Sequence, residues 1–119
     1  MTTDDRAGCL FCRIVAGEVP SDQVWQTSRT FAFRALHPAA PVHVLVVPRR
    51  HVEHAAAVTA EHAEEVAELL TTARAVAEAE GVLDRGYRLV FNVGEDARNS
   101  VPHLHLHVLG GRPMGWPPG

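Results

Sequence analysis

The stretch His103-Leu104-His105-Leu106-His107-Val108-Leu109 constrains this chain more than any other. Three histidines alternate with apolar residues, and on a β-strand successive side chains point to opposite faces. A strand would put His103, His105 and His107 on one face, with neighbouring Cα atoms about 7 Å apart. Leu104, Leu106 and Val108 would fill the other face and anchor it to a core. A helix would scatter the imidazoles around its circumference, so the pattern predicts a strand carrying a row of histidines on an apolar backing.

The flanking sequence supplies the partners such a strand needs. Cys9 to Ala16 reads as a short helix with a stripe of Leu10, Phe11, Ile14 and Val15, stopped by Gly17. Gln23–Gln26 and Thr30–Leu36 read as two strands joined at Thr27-Ser28-Arg29. Val42 to Val47, rich in β-branched residues, predicts a central strand. Thr59 predicts the N-cap of a long helix with Glu61, Glu64 and Glu65 near its start. Val66, Leu69, Leu70, Ala73, Val76 and Ala77 repeat along it at helical spacing, and Gly81 stops it. Tyr87 to Val93 alternates as a further strand, and Gly94 to Ser100 is a polar loop. The expected architecture is α+β, a mostly antiparallel sheet of about five strands with one long and one short helix.

With 119 residues, 46% of them hydrophobic, the chain suits one domain over residues 9–119, with a loose tail at 1–8 and a Pro/Gly-rich tail at 110–119. A formal net charge of −3 argues against an extended nucleic-acid surface. No apolar run approaches the roughly 20 residues of a membrane span. The polar start, Met1 to Arg6, is unlike a signal peptide, and two cysteines without one suit a reducing cytoplasm.

Neutral imidazole near pH 7 is both nucleophile and proton carrier. Three on one face can divide the work of attack at phosphorus, proton donation and orientation. A His-x-His pair on a strand also builds zinc sites, and a solvated face is the bland alternative. Cys9-Leu10-Phe11-Cys12 has the gap that lets two thiolates reach one zinc, beside a redox pair or two plain buried cysteines. His43 reads as a satisfied strand histidine, His54 and His62 as exposed, and His37 as a pocket-edge residue.

The run His-x-His-x-His followed by two apolar residues resembles the signature of the histidine triad family. The resemblance extends through Leu10 to Ile14, His37 to His51, Asn92 to Gly94, Ser100 to His103, and the Gly110-Gly111-Arg112 to Trp116-Pro117-Pro118-Gly119 ending. That ending is similar to the nucleotide-binding phosphoramidase branch. The resemblance implies that His105 is the nucleophile taking a nucleotidyl group from a nucleoside phosphoramidate, with His107 and Ser100 completing the catalytic set. It implies a purine nucleotide pocket from Leu10, Phe11, Ile14, Phe33, Leu36 and Val101, with Asn92, Asn99 and Ser100 near the phosphate or leaving group. Trp116 would reach the site of a homodimer partner. Cys9, Cys12, His51 and His103 would bind a structural zinc, and catalysis itself would need no cofactor.

Two other family activities remain as alternatives, a non-catalytic nucleotide-binding protein and a dinucleoside polyphosphate hydrolase. The chain departs from its branch at Ala35, where relatives place an acidic residue on both ribose hydroxyls. A methyl group forgoes roughly 1.5–3 kcal/mol per charge-assisted hydrogen bond. Arg34 and Arg98 are added charges, each expected to lie in solvent.

Overall fold

A computed structural model describes residues 8–119. The elements are α1 (Leu10–Val15), β1 (Gln23–Gln26), β2 (Thr30–Arg34), β3 (Val42–Pro48), α2 (Ala63–Ala79), β4 (Tyr87–Val90) and β5 (Leu106–Gly110). The sheet runs β1-β2-β3-β5-β4, and every neighbouring pair is antiparallel. This is the α+β class the alternation predicts, with β3 at the centre. The tail expected at 1–8 lies, except for Gly8, outside the described residues.

Strand alternation sorts the sheet into two apolar faces. Ala32, Val44, Val46, Leu106 and Val108 pack under Leu69, Ala73 and Val76 of α2. Phe31, Phe33, Leu45 and Val47 point the other way and meet Cys9, Phe11 and Ile14 of the short helix. β3 is buried on both faces, which is why it reads as an unbroken apolar run. The histidines project from the α1 face, while Leu104, Leu106 and Val108 belong to the α2 side.

Several boundaries differ from the sequence expectation. The histidine strand begins at Leu106, not His103, and His103 sits in a bend. There the chain leaves the sheet, because the Leu104 N–H donates to the Val52 carbonyl at 2.6 Å. β4 therefore lacks a ladder partner beyond Val90 and stops short of the expected Val93. β2 ends at Arg34 rather than Leu36, before the Pro38–Pro41 turn. Thr59 does not cap α2 directly. It opens a 3₁₀ turn, Ala60–His62, and its N–H donates to His62 Nδ1 at 2.9 Å. His62 is consequently buried rather than exposed. Gly81 ends α2 at φ +78°, a conformation costly for any residue with a Cβ. Leu70 is half-exposed, outside the core stripe that contains Leu69.

Candidate active site and metal centre

His105 and His107 face each other with ring centroids 5.1 Å apart. Both rings are partly enclosed, and Phe11 stands edge-on to His105 at 5.2 Å. His105 Nδ1 lies 2.7 Å from the His103 carbonyl oxygen. A carbonyl only accepts, so Nδ1 holds the proton and the Nε2 lone pair is available. Burial lowers the His105 pKa, opposed by that hydrogen bond.

His107 is oriented from behind. The Ala39 N–H donates to His43 Nδ1 at 3.0 Å, so a neutral His43 carries its proton on Nε2. His43 Nε2 lies 2.9 Å from His107 Nδ1 and donates to it. The remaining proton of a neutral His107 is thereby set on Nε2. Burial, then the neighbouring His105 and His43, push the His107 pKa down to about 4. Burial also lowers His43.

A cavity of about 640 Å³ opens in front of this pair. Leu10, Phe11, Ile14, Phe33, Leu36, Ser100, Val101, His105 and His107 all line it, as do Ala35 and Leu45. Asn92 and Asn99 do not line this cavity, and Trp116 is expected at the site of a partner subunit rather than at its own. The Asn92 Nδ2 donates to the Ala97 carbonyl at 2.8 Å and braces the polar loop. Asn99 lines a neighbouring cavity. Trp116 is 82% exposed and stacks on Arg88 of its own chain, 6.0 Å from the guanidinium carbon. Leu36 lines the mouth but is 87% exposed. Arg34 and Asp22 also line its rim, and the Arg34 guanidinium is held there by Glu80 and Asp22, with Nε 3.2 Å from Asp22 Oδ2. Ala35 thus leaves a plain methyl on the wall.

Sequence reading missed His43 as a site residue. Its alternation with Val42 and Val44 marks a face, but only β3–β5 pairing shows that the face is the one carrying His107.

On the far side of Phe11, four donor atoms from Cys9, Cys12, His51 and His103 lie within 4.8 Å of one another. Cys9 Sγ is 3.2 Å from His103 Nδ1, Cys12 Sγ is 3.3 Å from His51 Nδ1, and the two Nδ1 atoms are 3.2 Å apart. Tetrahedral zinc, with Zn–N about 2.1 Å and Zn–S about 2.3 Å, sets donor separations of about 3.4–3.8 Å. Slight expansion of the cluster would accommodate it. His103 Nε2 donates to the Pro48 carbonyl at 2.9 Å, which leaves the Nδ1 lone pair facing the thiols. Burial, chiefly, pushes His103 down to about 4, favouring the neutral ring a metal requires. The donor set and its second hydrogen-bonded shell fit a closed structural metal site.

A family model of the HIT domain matches residues 16–114. The chain belongs to the HIT family. Among HIT relatives, the purine nucleoside phosphoramidase of Escherichia coli strain K12 is 40% identical over 106 residues, 89% of each chain. A 14 kDa zinc-binding protein of Zea mays is 41% identical, over 97% of this chain and 91% of its own. The crystal structure of a HIT family hydrolase from Legionella pneumophila Philadelphia 1 superposes with a TM-score of 0.91 at 45% identity. It covers 93% of this chain and 99% of that one. Within this HIT fold, one segment, His103 to His107, serves both the cysteine–histidine cluster and the pocket.

Proposed function

We propose that this protein is a hydrolase of nucleoside phosphoramidates acting through a covalent nucleotidyl-histidine. The observation that carries the reading is the proton order across His105 and His107: a bare Nε2 on one ring faces a cavity shared with an Nε2–H on the other. Similarity to the E. coli phosphoramidase supports the substrate class. His105 Nε2 attacks phosphorus, and the P–N bond breaks with its electron pair staying on nitrogen. The substrate's phosphate anion raises the proton affinity of His107, which takes up a second proton on Nδ1. His43 moves its own proton from Nε2 to Nδ1 at the same time, giving up the Ala39 hydrogen bond and accepting from His107. Imidazolium His107 then donates from Nε2 to the leaving amine. Neutral His107 next removes a proton from water as the water oxygen attacks phosphorus. The bond to His105 breaks, and its pair returns to Nε2.

Phe11, Ile14, Phe33, Leu45 and Val101 would hold a purine, and Ser100 would contact the phosphate. Cys9, Cys12, His51 and His103 would hold a structural zinc, consistent with the zinc-binding relative, outside the chemical step. In this reading the working unit is residues 9–119 with the 110–119 tail, assembled as a cytoplasmic homodimer. Among the described residues no helix is long and apolar enough to cross a membrane.

Replacing His105 by Ala should lower turnover of adenosine phosphoramidate by about 10³-fold or more with the fold intact by circular dichroism. Near-normal turnover would reject the covalent route. Ala35 favours one second reading, a nucleotide-binding protein without turnover. Binding of AMP without any cleavage of the phosphoramidate by wild type would select it.

A further inference from the structure

Ala39 stands in the bend between Pro38 and Pro41, outside every helix and strand. Among the described residues neither its N–H nor its carbonyl makes a backbone hydrogen bond. Two side chains hold it instead. Its N–H donates to His43 Nδ1 at 3.0 Å, and its carbonyl accepts from Arg112 Nη2 at 3.0 Å. The prolines fix their own φ angles, but the orientation of the Ala39 peptides between them depends on those two contacts.

Arg112 is delivered to this place by the chain around it. Gly110 pairs with Val42 at the end of β5, and the backbone then turns at Gly111 with φ +92°. A Cβ on Gly111 would lie 2.8 Å from Pro41 Cβ, so only glycine lets the tail approach the bend this closely. Arg112 Nη1 donates to the Pro113 carbonyl at 3.0 Å, which steadies the guanidinium. Among the described residues no carboxylate pairs with it, and its one contact outside the tail is the Ala39 carbonyl.

A series of hydrogen bonds therefore runs from Arg112 to Ala39, from Ala39 to His43 and from His43 to His107. A neutral imidazole has two tautomers, and the partner of one ring nitrogen decides which of them forms. With the Ala39 N–H in place, His43 carries its proton on Nε2. If that N–H swings away, the Nδ1–H form opens to His43, its bare Nε2 accepts from His107 Nδ1, and His107 turns a bare Nε2 to the cavity.

We propose that Arg112 is a positioning residue for the histidine pair: by holding the Ala39 carbonyl it fixes the bend whose N–H selects the His43 tautomer, and through it the nitrogen of His107 that carries the proton. Its part in catalysis rests on the phosphoramidase reading above, in which His43 gives up Ala39 only as the second proton reaches His107. The hold of Arg112 keeps the pair neutral and ordered until a phosphate arrives.

Nitrogen-15 NMR of the histidine rings, on full-length protein without ligand at about pH 7.5, reads these tautomers directly. Wild type should carry the proton on Nε2 of both His43 and His107. Arg112 is exposed, so Arg112→Met removes no core contact. In that variant the ratio of Nδ1–H to Nε2–H forms at both rings should rise about threefold to tenfold, the weight of one net hydrogen bond. Arg112→Lys keeps a donor and should stay within about twofold of wild type. His62, whose Nδ1 accepts from the Thr59 N–H, is the internal control and should not move. Unchanged tautomers in Arg112→Met, or an equal shift at His62, overturns the proposal. Added AMP then tests the reaction reading separately. It should put a second proton on wild-type His107, and a ring left neutral with AMP bound overturns that proton uptake while leaving the role of Arg112 intact.

Discussion

His107 is half-buried between two other imidazoles, His105 in front and His43 behind. A second proton on it would sit in a poorly solvated place beside two groups that can also charge. Its pKa is accordingly about 4 in the folded chain, against an ordinary 6.5. Between those values the unfolded chain binds a proton that the folded chain refuses. Stability contributed by this residue is thus level above pH 6.5 and lost as pH falls toward 4. The urea midpoint should decline over that window, and His107→Gln should flatten the decline measurably. An unchanged slope in the variant would show that His107 is not a source of the acid sensitivity. The same geometry orders the protons for chemistry, since Ala39 and His43 decide which nitrogen of His107 faces the cavity.

At the scale of elements, α1 is the piece least able to stand alone. Six residues are far below the roughly 12–15 at which an isolated helix becomes even marginal. It is held by Phe11 and Ile14 against the sheet, and by Cys9 and Cys12 beside His51 and His103. Phe11 in turn touches both His103 and His105, so helix, cysteine–histidine cluster and site form one packed unit. Purified wild type should contain close to one zinc per chain by metal analysis. Cys12→Ala should lose most of it and melt at least about 5 °C lower. Equal metal in both proteins would reject the site. The edge of this unit is also where β5 begins, because the Leu104 amide is taken by Val52 rather than by β4.

Among the described residues, one side of β4 has no strand partner. Leu89, Phe91 and Val93 are each more than a third exposed there, and Trp116 stands out on Arg88 nearby. Such an apolar edge is an invitation to pair with another chain. We expect a homodimer in solution, with sedimentation giving twice the 12.9 kDa of one chain. Leu89→Asp should shift the equilibrium to monomer. A wild type that sediments as a monomer at micromolar concentration would rule the assembly out, and with it any reach of Trp116 into a partner's site.

Much of this protein is legible in one dimension because its determinants are local. Alternation from Val42 to Val47 and from His103 to Val108 assigns faces, and helical spacing with Gly81 marks α2, since side-chain period follows directly from backbone geometry. The Cys9/Cys12 spacing likewise brings both thiols to one cluster with His51 and His103. What is set by pairing across long sequence separations is not legible that way. His43 meets His107 only through the antiparallel register of β3 on β5, 64 residues apart. Glu80 ties down the Arg34 guanidinium at the pocket rim, and Val52 makes the histidine strand begin three residues late. The cavity lined by Asn99 exists only where the Gly94–Ser100 loop folds against Glu53 and His54. The sequence by itself determined which residues share a face; the tertiary structure decided which faces meet, because register and packing depend on partners that no local period names.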